Sequence, residues 1–211
     1  MRFISKLTIT RRILLLILIP LLGILMVSAD ELRSIWNKKT AANNIVEAIQ
    51  LAPAISNLVH QLQVERGQSA GFIGSKKQNF ASELPGSRIE TDKTLKIFKE
   101  KLPYSEKNLT FYHFQKPLKE VKRALANLEA KRAQVNNLSL SVKDMAGYYT
   151  PLIDNLLTLI ETFEEATNDA DIIRELIIYT SFLRAKEYAG LERAMGAAGF
   201  GAGKFNKAVY K

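Results

Sequence analysis

An apolar stripe at helical spacing, with two polar residues inside it, most constrains what this chain can fold into. Its members are separated alternately by four and three residues, as on one face of an α-helix. The stripe consists of Leu51, Ile55, Leu58, Leu62, Glu65, Ser69 and Phe72. A neighbouring stripe places Arg66 on the same broad face. The pattern predicts a long helix that buries a glutamate and an arginine together with its leucines.

The remainder of the chain predicts further helices, because apolar residues recur at the same spacing and no period-two run is convincing. The helical patterns cover residues 118–135, 142–163 and 172–197. The expected breaks fall at Pro85-Gly86, Pro103 and Pro117. Ser87 and Glu90 form a capping-box pattern that predicts a helix start. We therefore expect an all-α fold, an antiparallel helical bundle.

The N-terminal apolar run predicts a membrane anchor. Residues 13–29 hold no charge over 17 positions, at the short end of what crosses ~30 Å of hydrocarbon. Basic residues precede the run, whereas Asp30 and Glu31 follow it, so the positive-inside bias places the later residues outside the cell membrane. A cleaved signal peptide ending near Val27-Ser28-Ala29 is the alternative. Either interpretation predicts a sensor domain in the periplasm or outside a bacterial cell.

These features divide the chain into four predicted segments. They are a cytoplasmic N-terminus (1–12), a transmembrane anchor (13–29), a membrane-proximal helix (30–50) and a helical domain (51–211). The anchor would make the bacterial inner membrane a partner of the protein.

The composition argues against several classes of site. The chain has no cysteine, which excludes disulfides, thiolate catalysis and cysteine-ligated metals. His60 and His113 fall on different predicted elements without carboxylates at ligand spacing, so we expect no metal site. No nucleophile motif or phosphate-binding loop occurs, so we expect neither an enzyme nor a cofactor. The net charge of +9 is scattered, and a domain outside the membrane would not meet nucleic acid.

Three arginines lie at or beside apolar stripes: Arg66, Arg132 and Arg193. A buried guanidinium cannot lose its proton, and its desolvation costs several kcal/mol unless partners compensate. One interpretation is internal ion pairing, in which Glu65 and Glu192 neutralise Arg193 and Arg66. A second is snorkelling, in which the stem is buried and the charged end reaches water.

The sharper interpretation is a site for a small anion. Two facing guanidinium groups would attract a planar oxyanion, which accepts two parallel hydrogen bonds from each fork. Small residues accompany both arginines and would leave room for a ligand. They are Gly67, Ser69, Ala70 and Gly71 near Arg66, and Gly196, Ala197, Ala198 and Gly199 after Arg193.

The same segments resemble a known family. "LQVERGQSAGFIGSKKQNFASELPGSRIETDK" is similar to the opening of the nitrate- and nitrite-sensing domain family, with its E-R-G-x-S-A and R-x-x-T-D stretches. "LEAKRAQVNNL" and "YYTPLIDNLL" resemble the family's middle segment, and "LERAMGAAGFGAGKF" resembles a later helix. The apolar run resembles the first membrane helix of bacterial chemoreceptors and sensor kinases. The family resemblance covers roughly residues 35–211.

The resemblance implies two stacked four-helix bundles, incomplete at the C-terminus because the chain ends soon after the later motif. It implies nitrate or nitrite binding by Arg66 and Arg193, with Arg132, Ser69 and Gly67 as further candidates, although Arg132 is better read as structural. Glu65 stands where the family pattern can place a second arginine. A homodimer is also implied by the resemblance.

We therefore expect an oxyanion sensor of a bacterial transmembrane receptor, of the chemotaxis or sensor-kinase type, that passes a helix shift to an output module beyond residue 211. One alternative is a helical sensor or protein-binding module whose arginines are internally ion-paired. Another is a membrane-tethered structural bundle.

Overall fold

The computed structural model describes residues 9–109 and 112–201. The helices are α1 (Ile9–Gly74), α2 (Glu83–Asn108), α3 (Tyr112–Ala126), α4 (Leu128–Asn136), α5 (Val142–Glu161) and α6 (Ala170–Gly201). A short 3₁₀ helix, Thr162–Ala166, joins α5 to α6. No strand occurs within the described ranges. The prediction of an all-α fold is therefore confirmed.

The chain divides into two compact units, residues 1–42 and residues 43–211. In the first unit, the described residues belong to the beginning of α1, and apolar side chains such as Leu14, Ile17 and Leu21 are exposed. The second unit contains the remainder of α1, the other helices and the buried core. All candidate site residues belong to this second unit.

The predicted membrane anchor over residues 13–29 is not found. Among the helices of the described ranges, none is both long and apolar enough to cross a membrane. The uncharged run of 17 residues is short against the ~20 that span the hydrocarbon core. Moreover, the same helix continues directly through Asp30, Glu31 and Arg33. The prediction that this run spans a membrane is therefore corrected.

The predicted α1 stripe forms the centre of the core. Each of its members from Leu51 to Phe72 is buried, and the two polar members, Glu65 and Ser69, are 0% exposed. Arg66, from the neighbouring stripe, is 7% exposed. The leucine spacing therefore identified the buried face correctly, including the charged residues on it.

Helix α5 supplies the facing surface. Its buried residues are Met145, Tyr149, Leu152, Ile153, Leu156, Leu157, Leu159 and Ile160. Ser141 caps its first turn, because its hydroxyl accepts a hydrogen bond from the Asp144 amide at 3.1 Å. The helix packs against α3 on one side and α6 on another. It therefore links the helices that carry the site.

Proline positions gave wrong helix boundaries. Helix α2 begins at Glu83, so Pro85 lies in its first turn, where a missing N–H costs nothing. Pro103 and Pro117 lie inside α2 and α3 instead of ending helices. The buried neighbours Leu102 and Leu118 show that tertiary packing holds these helices through the prolines. Burial therefore outweighed the local breaking signal at Pro103 and Pro117, whereas Pro85 is compatible with the start of a helix.

The buried stripe of α1 predicts a strong contrast between two isoleucines of the same helix. Ile55 is 0% exposed and Ile49 is 58% exposed. We expect Ile55→Ala to lower the free energy of unfolding by ~2–5 kcal/mol, because it leaves a cavity in the core. Ile49→Ala should change it by no more than about 0.5 kcal/mol. Urea denaturation followed by circular dichroism measures both, and equal losses would contradict the assigned helix face.

Candidate functional site

Two adjacent residues of α1 contact two adjacent residues of α5. The hydroxyl of Tyr149 donates to Glu65 Oε1 at 2.8 Å, and Arg66 Nη1 donates to Thr150 Oγ1 at 3.0 Å. Because successive residues of a helix point in different directions, Glu65 and Arg66 form their other contacts with different helices. Two buried ionic clusters result, one around each residue.

The Arg66 cluster (Gln63, Arg66, Thr150 and Glu187) joins α1, α5 and α6. Arg66 Nη1 donates to Glu187 Oε1 at 2.6 Å, and Nη2 donates to Oε2 at 3.0 Å. Both side chains are buried. Gln63 Nε2 donates to Glu187 Oε2 at 2.8 Å, which holds the carboxylate from a second direction. The arginine fork is thus bound to a planar anion supplied by the protein itself.

A glycine of α6 lies beside this pair. A Cβ atom placed on Gly190 would lie 4.0 Å from Arg66 Nη2, at the outer limit of ordinary contact. Helix α6 therefore contacts the guanidinium through Glu187 and, about one turn later, presents a residue without a side chain beside it. This leaves free space next to the end of the guanidinium.

The Glu65 cluster (Glu65, Arg88, Arg132 and Tyr149) joins α1 to α2, α4 and α5. Arg132 Nε donates to Glu65 Oε1 at 2.7 Å, and Nη2 donates to Oε2 at 2.9 Å. At the outer edge of the cluster, Arg132 Nη1 also donates to Asp92 at 2.7 Å and to Glu129 at 2.6 Å. Arg132 therefore has more than enough negative charge around it.

A second cation approaches the same carboxylate. Arg88 Nε lies 3.6 Å from Glu65 Oε1, and its Nη1 donates to Asn136 Oδ1 at 2.8 Å. Glu65 is thus held by two arginines and a tyrosine hydroxyl while fully enclosed. These contacts offset the cost of burying a carboxylate away from water.

The electrostatics of the Glu65 cluster shift two pKa values upward. Burial alone would lower the pKa of Arg132, but the hydrogen bonds and charges of Glu65 and Asp92 outweigh burial and raise it. Burial raises the pKa of Tyr149, and the adjacent Glu65 carboxylate raises it further. Arg132 therefore stays charged and Tyr149 stays neutral at physiological pH, the states in which both donate hydrogen bonds to Glu65.

The two arginines predicted to face each other have different surroundings. Arg66 is buried and paired with Glu187, whereas Arg193 is exposed on α6, three residues after Gly190. Arg66 is paired with a glutamate of α6, as the alternative of internal ion pairing expected. That glutamate is Glu187, whereas the expected partner, Glu192, is exposed. Glu65 pairs with Arg132 and not with Arg193.

The other candidate residues also have different surroundings. Arg132 belongs to the Glu65 cluster, where it is paired with Glu65. Ser69 is enclosed, and its hydroxyl has no hydrogen-bond partner among the described residues. Gly67 is exposed, with open space where a side chain would be. The side chains of 196–199 lie outside what the structure describes.

Sequence reasoning missed Glu187, Gln63 and Thr150. For Glu187 a signal existed, because it follows Leu183 by four residues and precedes Gly190 by three, the spacing of a buried helix face. Lys186, one position earlier, is exposed, and its ammonium lies 3.1 Å from His60 Nδ1. Gln63 and Thr150 carry no pattern that distinguishes them from surface residues.

Comparison with known proteins gives a consistent result. Residues 57–211 match the sequence profile of a family described as nitrate and nitrite sensing. A nitrate regulatory protein of Klebsiella oxytoca is 26% identical over 181 residues, which make up 80% of this chain and 42% of that protein. A solved structure of the NasR transcription antiterminator has a TM-score of 0.80 at 27% identity, covering 87% of this chain and 50% of that one. The chain spans about half the length of these relatives.

Two predictions about biological context are wrong. The similar proteins are a regulatory protein and a transcription antiterminator, and the described helices include none that could cross a membrane. The predictions of a transmembrane signalling receptor and of a sensor outside the bacterial inner membrane are therefore corrected. The expected absence of a nucleic-acid partner no longer has a basis, because it rested largely on that location.

The Glu65 cluster predicts a large loss of stability when its central arginine is removed. Arg132→Ala leaves the enclosed Glu65 carboxylate without its bidentate partner, so we expect the free energy of unfolding to fall by ~3–5 kcal/mol. Arg123→Ala is the matched control, because Arg123 forms an exposed ion pair with Glu120, which contributes little. Chemical denaturation of both variants measures the difference. A loss for Arg132→Ala no larger than that of the control would refute the structural role.

Proposed function

Because this chain belongs to the nitrate- and nitrite-sensing family, whose profile matches residues 57–211, we propose that it is the anion-sensing domain of a regulatory protein. The anion binds to the guanidinium of Arg66, between α1 and α6. Arg193 supplies a second positive charge from the exposed side of α6. Binding changes how α6 lies against α1, by the 1–2 Å that is usual for shifts between packed helices.

One observation carries this proposal beyond family membership: the fork of Arg66 already holds a planar anion. Glu187 presents two oxygens to Nη1 and Nη2 at 2.6 and 3.0 Å. Nitrate and nitrite are small anions that can likewise direct two oxygens to one guanidinium. The site is buried, where charge-assisted hydrogen bonds are stronger than in water. Arg66 therefore has the geometry and the environment for a small oxyanion.

The regulatory part of the proposal rests on the relatives. Klebsiella oxytoca contains the relative described as a nitrate regulatory protein, and the solved relative is a transcription antiterminator. We take from them a regulatory output that depends on the anion. Helix α6 is the element suited to carry that signal within this chain, because the Arg66–Glu187 pair that fastens it to α1 is one that an anion at Arg66 can alter.

The role of the Arg66 fork can be tested with lysine, which keeps the charge and removes the planar fork. We expect Arg66→Lys to weaken nitrate binding by about tenfold or more, the equivalent of one charge-assisted hydrogen bond. Isothermal titration with nitrate and nitrite, against chloride, measures the change. Arg184→Lys is the control, because Arg184 also fastens α6 through a bidentate fork, half-buried, to Glu161 of α5. Unchanged nitrate affinity in Arg66→Lys would exclude this site.

Arg193 provides a second test, since its exposed side chain can be removed without opening the core. We expect Arg193→Ala to leave the melting temperature unchanged and to weaken nitrate binding by roughly two- to tenfold, as for loss of a partly screened charge. Arg174→Ala, an exposed arginine on the same helix, controls for the change in net charge. Equal effects of the two variants on affinity would place Arg193 outside the site.

A further inference from the structure

We infer that Glu187 is an internal competitor of the anion: its carboxylate occupies the Arg66 fork until nitrate or nitrite replaces it, and the replacement frees α6 from α1. This inference rests on the proposed function, because it assumes that the anion binds at Arg66. It adds a residue that sets the affinity of the site and a contact that converts binding into movement.

The hydrogen bonds of the pair make simultaneous binding unfavourable. Glu187 uses Nη1 at 2.6 Å and Nη2 at 3.0 Å, so both terminal nitrogens of Arg66 are already engaged. An incoming oxyanion that takes the same two donors must remove the carboxylate from them. Carboxylate and nitrate match in charge and in the spacing of two oxygens, so one can take the place of the other without a new geometry.

The charge of the cluster leads to the same conclusion. Arg66 and Glu187 neutralise each other, and Gln63 and Thr150, which hydrogen-bond to this pair, are uncharged. A second anion added beside Glu187 would face repulsion from a buried carboxylate, and the positive charge of Arg193, on the exposed side of α6, is partly screened by solvent. Replacement of one monovalent anion by another leaves the net charge of the cluster unchanged.

The structure also provides what the displaced carboxylate needs. Gln63 Nε2 donates to Glu187 Oε2 at 2.8 Å and remains as a partner when Arg66 is lost. Gly190 leaves space beside Arg66 Nη2, since even a Cβ there would stand 4.0 Å away. The carboxylate can therefore leave the fork with one hydrogen bond retained, and an anion can enter the space beside it.

The Glu65 cluster is the internal contrast. Glu65 binds Arg132 through both oxygens, accepts from Tyr149 and lies 3.6 Å from Arg88. Displacing it would break contacts to three helices at once. Within the Arg66 cluster, Glu187 has a single cationic partner. Replacement of its carboxylate by an anion therefore breaks the Arg66–Glu187 pair and leaves the Glu65 cluster intact.

The test is Glu187→Gln in the full 211-residue chain, which keeps the shape of the side chain and removes its charge. Without nitrate we expect a lower melting temperature, because Arg66 loses its counter-ion. In the same protein we expect nitrate to bind about tenfold more tightly than in the parent, because it no longer competes with a carboxylate. Titration calorimetry and thermal melts measure both. Glu175→Gln, exposed on the same helix, is the matched control and should change neither.

The opposite signs of these two effects distinguish a competitor from a structural ion pair. A folded Glu187→Gln protein that binds nitrate no more tightly than the parent overturns the inference. If Glu187→Gln does not fold, Gln63→Met decides: it loosens Glu187 without touching Arg66, so affinity should rise about two- to fivefold, and an equal or lower affinity overturns the inference.

If the proposed function is wrong, the same binding measurements give a different result. If neither the parent nor folded Glu187→Gln binds nitrate or nitrite, the anion site itself is absent and both proposals fall. If the parent binds the anion and Glu187→Gln binds it equally well, the site stands and only the competitor role falls. If Glu187→Gln binds the anion and the parent does not, both proposals are supported, because the carboxylate of Glu187 then keeps the anion out of the site.

Discussion

The structure depends on one constraint: two opposite charges stand next to each other on the buried face of α1, and each must find a counter-ion on another helix. Glu65 is fully enclosed and Arg66 nearly so. Had they only neutralised each other, no other helix would be needed. Instead Glu65 pairs with Arg132 of α4 and Arg66 with Glu187 of α6. Since an unpaired buried charge costs several kcal/mol, these pairs fix how α4 and α6 lie against α1.

The two clusters differ in a way that suits them to different roles. The carboxylate of Glu65 has two arginines and a tyrosine hydroxyl around it, so each contact is supported by others. The fork of Arg66 depends on a single carboxylate. Tyr149 and Thr150, which are adjacent on α5, bind Glu65 and Arg66 respectively. The Glu65 cluster therefore holds α1 against α5, while the ion pair of Arg66 with Glu187 can open.

The sequence predicted which face of α1 is buried and that Glu65 and Arg66 lie on it, and it placed Arg132 in an apolar stripe of a later helix, because helical spacing is local information. It could not predict the partners. Arg132 is 67 residues from Glu65, and Glu187 is 121 residues from Arg66. Which charges meet depends on the register between helices, which packing of the whole core decides. The same long-range packing carried helices through Pro103 and Pro117. The membrane interpretation failed because the uncharged run of 17 residues is shorter than the ~20 that span the hydrocarbon core.

The position of Glu65 also bears on which anions the site accepts. The family pattern can place a second arginine there, which would add a positive charge to the site. In this chain that position holds a carboxylate, already committed to Arg132. The region around Arg66 therefore offers one buried fork, balanced by one carboxylate. A monovalent anion that replaces Glu187 restores that balance, whereas a divalent anion such as sulfate would bring a second negative charge into a buried cluster whose further cation, Arg193, lies on the exposed side of α6. Replacement of a carboxylate thus favours small monovalent oxyanions over divalent ones.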